Sequence, residues 1–270
     1  MTAFYNEIDP YASQWLKNLI AAGHIAPGVV DTRSISEIEP YDLREFTQCH
    51  FFAGIGVWSH ALRLSGWADE RPVWTGSCPC QPFSVAGRSG GFTDERHLWP
   101  HWHHLIRECR PEVVFGEQVA SKDGLAWLDL VQADLEGEGY AATAVDICAA
   151  GVGAPHIRQR IYFVGHTEHA GLEGHAGAEN ARHRPGRFNT DADRSDAAAS
   201  VSGAGRPTNG FWREADWLLC KDGKRRPVEP GTFPLGDGTP DRVGRLRAYG
   251  NAIVPQVAAE VIKAFLEVRP

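Results

Sequence analysis

The order of apolar segments along the chain is the sequence feature that most limits its fold. Short apolar runs of strand length alternate with longer runs whose apolar residues recur at helical spacing. The strand-like runs occupy residues 45–56, 71–77, 111–117, 141–147 and 160–166, and the helix-like runs occupy residues 57–67, 97–109, 124–140 and 252–266. This alternation predicts an α/β fold with a mainly parallel sheet and helices on both faces.

The size and composition of the chain are those of an ordinary globular protein. Its 270 residues suit one large domain, or a core domain with a smaller appendage. No apolar run approaches the roughly 18 residues that a membrane span needs, and the N-terminus lacks a signal pattern. The six cysteines are spread singly apart from Cys78 and Cys80, which is no disulfide framework, so we expect a reducing cytoplasm.

The amino-acid composition and the local charge change after residue 166. Residues 167–210 are rich in Gly, Ala, His, Arg and Asp and have few large apolar groups, which predicts a loop or partly disordered segment. The net charge of −7 argues against general affinity for nucleic acid. Residues 220–247, however, carry seven Lys or Arg against four acids, and this local +3 can meet a phosphate backbone.

The run GSCPCQPFS, residues 76–84, carries the most chemistry. Cys80 lies between two prolines, directly after a strand that should end at the carboxyl edge of the sheet, where open α/β folds place ligands. Taken alone, the run fits a buried cysteine or a Cys-x-Cys metal half-site as well as a rigidly held nucleophile. A zinc site is disfavoured because no second close Cys/His pair accompanies it, and a redox role because the usual spacing is Cys-x-x-Cys.

Four further motifs surround this run in the predicted sheet. The glycine turn FFAGIG, residues 51–56, joins a strand to a helix and suits a ligand that approaches the backbone closely. Glu117 ends another strand at the carboxyl edge. Arg158 and Arg160 stand two apart at the beginning of a strand and should share a face. A Gly-Asn turn at residues 250–251 precedes the last helix.

In this combination and order, the motifs resemble those of the DNA (cytosine-5) methyltransferases. The resemblance covers most of residues 46–165 and 242–268. It implies a Rossmann-like fold that uses S-adenosylmethionine. Residues 1–166 and 242–270 would then form the catalytic and cofactor-binding domain, and 167–241 a small, irregular target-recognition domain.

The resemblance also implies a role for each catalytic residue. Cys80 would add to C6 of cytosine, which makes C5 nucleophilic and splits one hard step into easier ones. Glu117 would hold the N3/N4 edge of the base, and Arg158 and Arg160 would contact its O2 and steady the catalytic loop. The alternative for Glu117 is a surface acid at a strand end, and the alternative for the arginines is a solvated strand edge. The target base must be flipped out of the duplex to reach this pocket.

Two more sets of residues follow from the resemblance. The cofactor would be held by Glu7, Ile8, Phe52, Ala53, Gly54, Ile55, Gly56, Pro79, Asn251 and Ala252. DNA would be contacted by Gln81, Ser84 and Arg88, in a glycine-containing loop that can close over the duplex. Three positions depart from the family pattern, which has Asn at Gln118, Gln at His156 and Asp at His50.

The two strands and the helix that would bind the adenosyl part of the cofactor are not at their usual place in the chain. The family has two strands and a helix between the glycine-turn helix and the catalytic loop, but only about ten residues intervene here, against roughly 30 for such a unit. Residues 5–38 fit the missing unit. Glu7 ends a short strand as the ribose-binding acid does, Ile8 would lie against the adenine opposite Phe52, and Asp9-Pro10 begins a helix. Asp31 or Ser34 would lie near the adenine edge.

We therefore expect the second and third sheet strands to come first in the chain, before the glycine-turn strand. The alternative is an unrelated N-terminal helix that covers an edge of the sheet. The predicted function is transfer of a methyl group from S-adenosylmethionine to C5 of cytosine in a specific double-stranded DNA sequence. The alternatives are hydroxymethyl transfer on the same fold and a catalytically silent DNA-binding module. We expect a monomer without a metal, in the cytoplasm of a bacterial or phage-infected cell.

Overall fold

A computed structural model of the protein describes residues 3–79, 98–154, 156–167, 213, 216–219, 225–228 and 250–269. The strands are β1 (Ala3–Asn6), β2 (Gly28–Asp31), β3 (Gln48–Phe51), β4 (Val73–Gly76), β5 (Val113–Val119), β6 (Tyr140–Cys148), β7 (Gln159–Thr167), β8 (Asp216–Leu219) and β9 (Arg225–Val228). The α-helices are α1 (Pro10–Ala21), α2 (Val57–Ser65), α3 (Trp99–Cys109), α4 (Lys122–Gly137) and α5 (Pro255–Val268).

Seven of these strands form one sheet in the order β2-β1-β3-β4-β5-β7-β6. The first five are parallel to one another, and β7 runs antiparallel to both β5 and β6. The predicted α/β class with a mainly parallel sheet is confirmed. The antiparallel pair at one edge is an addition that the apolar pattern did not separate from the other strands.

The N-terminal segment takes the sheet positions that were expected of it. β1 lies between β2 and β3, with Tyr5 opposite both Val30 and His50. The strand that carries the glycine turn is therefore third in the chain but has the first two strands on one side and β4 on the other. The sequence interpretation of a shuffled order of elements agrees with this arrangement, and an unrelated N-terminal helix does not.

The first helix forms where its capping residues predict. The Asp9 carboxylate accepts hydrogen bonds from the backbone N–H groups of Tyr11 and Ala12 at 2.9 Å, and Pro10 occupies the first turn. The helix buries Leu16 against Tyr5 and Ile25 in a small core of its own. An N-cap of this kind contributes about 1 kcal/mol, so packing supplies the rest.

Two larger cores cover the faces of the sheet. Helices α3 and α4 pack on one face around Phe51, Trp102 and Phe163. Helices α2 and α5 pack on the other around Phe115 and residues from both helices. Both faces of the central strands are therefore buried, as is usual when crossover helices connect parallel strands.

Little of the predicted recognition domain lies within the described residues. In the 167–241 region, β8 and β9 form an antiparallel pair, and the division of the chain into two domains stays a prediction. No helix in the described parts of the chain is long and apolar enough to cross a membrane. In the same residues, no group of three His, Cys, Asp or Glu side chains is arranged to hold a metal ion.

Candidate active site

The candidate site lies where four parallel strands end. β1 leads into Glu7, β3 into the glycine turn 52–56, and β4 into the segment Ser77–Pro79. Glu117 lies near the carboxyl end of β5 itself. Because the carboxyl ends of parallel strands meet at one edge of a sheet, motifs far apart in the chain are collected there.

The glycine turn needs unusual backbone angles. Phe52, Gly54 and Gly56 have φ of 51°, 54° and 80°, in the left-handed region that glycine adopts readily. The Ala53 N–H donates to the carbonyl of Asn6 at 3.0 Å, which joins the turn to β1. A Cβ added at Gly54 would meet no atom within 4 Å, so this part of the turn borders open space.

Glu7 connects the N-terminal segment to that turn. Its Oε2 accepts from the Gly54 N–H at 2.7 Å, and its Oε1 accepts from the Asp9 N–H at 2.8 Å. The neighbouring Ile8 leaves 66% of its surface exposed, although it is a large apolar residue. An anchored carboxylate and an exposed apolar side chain thus lie beside the open part of the turn.

The polar side chains at the end of β2 are less available to a ligand than expected. Asp31 is held by Arg33, whose Nη2 lies 2.7 Å from its Oδ2. Partial burial acts to raise the pKa of Asp31, but the hydrogen bonds from Arg33 outweigh it and leave that pKa below its usual value. Ser34 caps a short 3-10 helix together with Glu37. Both side chains predicted for an adenine edge are engaged within the protein.

Glu117 is the buried acid of the site. It is 7% exposed, and the Nε of Arg160 lies 2.8 Å from its Oε1. Burial raises the pKa of Glu117 above that of an ordinary glutamate. The charge of Arg160, a hydrogen bond from Ser77 and the charge of Arg158 oppose that rise. At a given pH, the protonated form of this carboxyl is therefore more favoured than that of an exposed glutamate.

The two predicted arginines make different contacts. Arg160 reaches Glu117, whereas Arg158, with φ of 27°, donates through Nη2 to the carbonyl of Gly250 at 2.9 Å and to that of Ala252. Burial lowers the pKa of Arg158 from its ordinary value, and the charge of Arg160 acts in the same direction. Arg158 thereby ties the beginning of β7 to the Gly-Asn turn that contains Asn251.

The segment that leads into Cys80 is fixed from two sides. The indole N–H of Trp58 donates to Ser77 Oγ at 3.1 Å. The amide Nε2 of Gln118 donates to the carbonyl of Cys78, also at 3.1 Å. Both donors are buried. Cys80 itself and the predicted DNA contacts Gln81, Ser84 and Arg88 lie outside the described residues.

The three departures from the family pattern have different consequences. Gln118 holds the Cys78 carbonyl through the contact just given. His50 is 1% exposed, lies 2.8 Å from Thr75 Oγ1 through Nδ1 and stacks on Tyr5; burial lowers its pKa to about 3. His156 is partly exposed, and burial lowers its pKa as well.

Sequence reasoning missed Ser77 and Trp58. Ser77 lies within the quoted run GSCPCQPFS, but its partner follows the glycine turn in the chain. Nothing in the spacing of the motifs pairs these two residues.

Part of the chain is similar to known proteins. A model of the C-5 cytosine-specific DNA methylase family matches residues 68–201. The range includes Cys80, Glu117 and the two arginines, and it begins after the glycine turn.

The matched residues, just under half of the chain, are similar to the C-5 cytosine-specific DNA methylase family. It is 37% identical over 90 residues to the type II methyltransferase M.HhaI of Haemophilus parahaemolyticus, covering 32% of this chain and 28% of that protein. It is 34% identical over 100 residues to the type II methyltransferase M.HpaII of Haemophilus parainfluenzae, covering 35% of this chain and 28% of that protein. The chain thus spans less than a third of the length of these two relatives.

Solved structures of methyltransferases give weaker likenesses. The chain overlays on Spodoptera frugiperda DNMT2 with a TM-score of 0.45 and 15% identity, over 66% of this chain and 46% of that one. It overlays on a putative DNA modification methyltransferase of an Escherichia coli prophage with a TM-score of 0.41 and 19% identity, over 61% and 40% of the two chains. The N-terminal unit, residues 5–38, lies outside the family match.

Proposed function

We propose that this protein transfers a methyl group from S-adenosylmethionine to C5 of cytosine in double-stranded DNA, with Cys80 as the nucleophile. The observation that carries the proposal is the ion pair between the buried Glu117 and the half-buried Arg160, on the strand next to the one that leads into Cys80. A buried acid paired with a guanidinium, beside a cysteine in a family of cytosine-5 methylases, suits a pocket for a flipped pyrimidine.

The residues around the glycine turn fit the adenosyl part of this cofactor. The open space beside Gly54 leaves room for close approach to the backbone, and the exposed Ile8 offers an apolar surface for a flat base. The Glu7 carboxylate is held in place by two backbone N–H groups, and carboxylates can accept further hydrogen bonds from ribose hydroxyls. When bound, the cofactor supplies an electrophilic methyl group on a sulfonium.

The residues of this chain would then share the work at the base. The Cys80 thiolate adds to C6 of cytosine, and the protonated Glu117 carboxyl holds N3 so that the ring can accept the added electron pair. Arg160, anchored on Glu117, presents its remaining donors to the O2 side of the base. After C5 has gained the methyl group, a base removes the C5 proton, the electron pair re-forms the double bond, and the thiolate leaves C6. Gln118 keeps the backbone before Cys80 in position throughout.

Two linked assays test the proposal. Tritiated S-adenosylmethionine and mixed-sequence DNA should give labelled DNA with the wild-type protein and none with Cys80→Ala. Duplexes that carry 5-fluorocytosine should form a covalent protein–DNA adduct, because fluorine at C5 cannot leave as a proton. Label transfer by Cys80→Ala, or an adduct through another residue, would refute the assignment of the nucleophile.

The same experiment separates the competing functions. Digestion of the product DNA to nucleosides gives 5-methylcytosine if S-adenosylmethionine is the donor, and 5-hydroxymethylcytosine only if a hydroxymethyl group is transferred in a parallel reaction that is given a hydroxymethyl donor such as formaldehyde. A silent binding module would retain DNA and give neither product. Sequencing of DNA from cells that express the protein would then identify the target sequence.

A further inference from the structure

Arg158 joins the beginning of β7 to the turn before α5. Its Nη2 donates to the carbonyl oxygen of Gly250 at 2.9 Å and also to that of Ala252. Its Nε is buried and meets no acceptor in the described part of the chain. The hydrogen bonds that the structure describes for this guanidinium therefore all go to the backbone of the turn, on both sides of Asn251.

The backbone of Arg158 is itself fixed on both sides. The carbonyl of the preceding Ile157 accepts from the Ala149 N–H at 2.8 Å. The following Gln159 is the first residue of β7, and its side-chain amide donates to Asp146 on the neighbouring strand at 2.6 Å. Between them, Arg158 has a φ of 27°, a conformation that a residue other than glycine keeps only when its surroundings hold it. The side chain therefore starts from a rigid point.

The turn has little packing of its own before α5. Ile253 and Val254 are buried in the core under that helix. Gly250 and Asn251 are exposed, and a Cβ added at Gly250 would meet no atom within 4 Å. Packing thus holds the chain from Ile253 onward, whereas the hydrogen bonds from Arg158 hold the carbonyls that flank Asn251.

The same stretch of backbone also serves the base pocket. Arg160, two residues after Arg158, lies with its Nε 2.8 Å from Oε1 of Glu117. The beginning of β7 therefore carries one arginine that contacts the buried acid and one that contacts the turn. A displacement of this stretch would move both contacts together.

We propose that Arg158 is a positioning residue for S-adenosylmethionine, because it holds the backbone on both sides of Asn251 in the shape that binds the cofactor. The inference rests on the proposed function. It places Arg158 on the cofactor side of the site, whereas the resemblance to the family would place it at O2 of the base. Arg160 then serves the base pocket, and Arg158 the cofactor pocket.

Isothermal titration calorimetry with S-adenosylmethionine, in the absence of DNA, separates these two roles. Arg158→Met removes every donor of the side chain, so the dissociation constant should rise about tenfold, the size of one lost hydrogen bond to a charged group. Arg158→Lys keeps the charge and can still donate to one carbonyl, so it should recover part of the affinity. An unchanged dissociation constant in Arg158→Met, with a loss of kcat alone, would overturn the inference and return Arg158 to the base.

Arg107→Met is the matched control. Arg107 is exposed on α3, and its guanidinium pairs with Glu108 at 3.0 Å. The same substitution there should leave the dissociation constant unchanged. A wild-type protein that does not bind S-adenosylmethionine would refute the proposed function, and with it the cofactor role of Arg158. Wild-type binding together with an unaffected Arg158→Met would refute the inference alone.

Amide hydrogen exchange shows whether the effect comes from the turn. In Arg158→Met, exchange at residues 250–254 should become faster while that of β1 and β3 stays the same, and Arg158→Lys should bring it back towards the wild type. Faster exchange throughout the sheet with a lower melting temperature would indicate a merely structural role and contradict the inference. A turn that exchanges faster while cofactor affinity is unchanged would contradict it as well.

Discussion

Glu7→Gln is the substitution that tests the cofactor role of the N-terminal unit. The carboxylate accepts from the N–H of Gly54 at 2.7 Å and from that of Asp9 at 2.8 Å. An amide keeps one acceptor oxygen, so one of the two N–H groups would face the new NH2 group. The side chain would also lose the charge that strengthens both hydrogen bonds and any contact with ribose hydroxyls.

The expected effect follows from these contacts. A hydrogen bond to a charged group contributes about 1.5–3 kcal/mol, and 1.4 kcal/mol is tenfold in a dissociation constant. Glu7 is only partly buried, which favours the lower end of that range. We therefore expect Glu7→Gln to raise the dissociation constant for S-adenosylmethionine roughly 10- to 100-fold.

Isothermal titration calorimetry of the cofactor, without DNA, measures this directly. Glu37→Gln is the matched control, because Glu37 is an exposed glutamate of the same unit whose carboxylate accepts from the Ser34 N–H at 2.9 Å. It should leave the dissociation constant unchanged. Equal affinities for Glu7→Gln and the wild type would refute the assignment of residues 5–38 as the cofactor unit, provided that the melting temperatures show both proteins folded.

Three further predictions concern stability and the catalytic segment. Burial lowers the pKa of His50 from 6.5 to about 3, so between these pH values the unfolded chain binds a proton that the folded chain does not. The free energy of unfolding should therefore fall as the pH drops from 6.5 towards 3. In urea denaturation, His50→Gln should show a smaller fall in that free energy over the same pH range. Gly116→Ala would put a Cβ 2.0 Å from the ring of Phe163 and should cost about 1–3 kcal/mol by thermal denaturation, whereas Gly137→Ala, with no atom within 4 Å of its Cβ, should cost none. Gln118→Leu should lower kcat in the methyl-transfer assay and leave the cofactor dissociation constant unchanged, since it removes the donor that holds the catalytic segment; an unchanged kcat would contradict that role.

The elements of the fold could be predicted because each has a local signal. Helix α1 begins at Pro10 because Asp9 caps it, and α2 ends at Ser65 because Gly66 takes the left-handed conformation with φ of 86°. The role of residues 5–38 could be predicted because too few residues separate the glycine-turn helix from the run that contains Cys80 to hold two strands and a helix. The motifs of residues 5–38 are too weak to indicate that role by themselves. The sheet position of this unit was then predicted, since a strand that is expected to carry the ribose-binding acid has to lie next to the glycine-turn strand.

The contacts that position the site could not be predicted in the same way. Arg158 and Arg160 are two apart, and strand alternation would put both on one face. Arg158 precedes β7 with a positive φ, however, so its guanidinium reaches the carbonyl of Gly250, 92 positions along the chain. The antiparallel direction of β7 was also hidden, because a buried strand between two neighbours has the same apolar composition in either direction.

The shuffled order of strands is compatible with the proposed cofactor site because that site depends on which strands are neighbours in space. In the usual order, the helix after the glycine turn leads directly to the strand that carries the ribose-side acid. Here α2 leads to β4 instead, and β1 is held beside β3 by the parallel ladder from Ala3 to Asn6. The Ala53 N–H to Asn6 carbonyl bond and the Gly54 N–H to Glu7 carboxylate bond then join turn and acid without a covalent crossover. A chain can therefore change the order in which it visits these strands, provided that those hydrogen bonds and the alignment of β1 with β3 are kept.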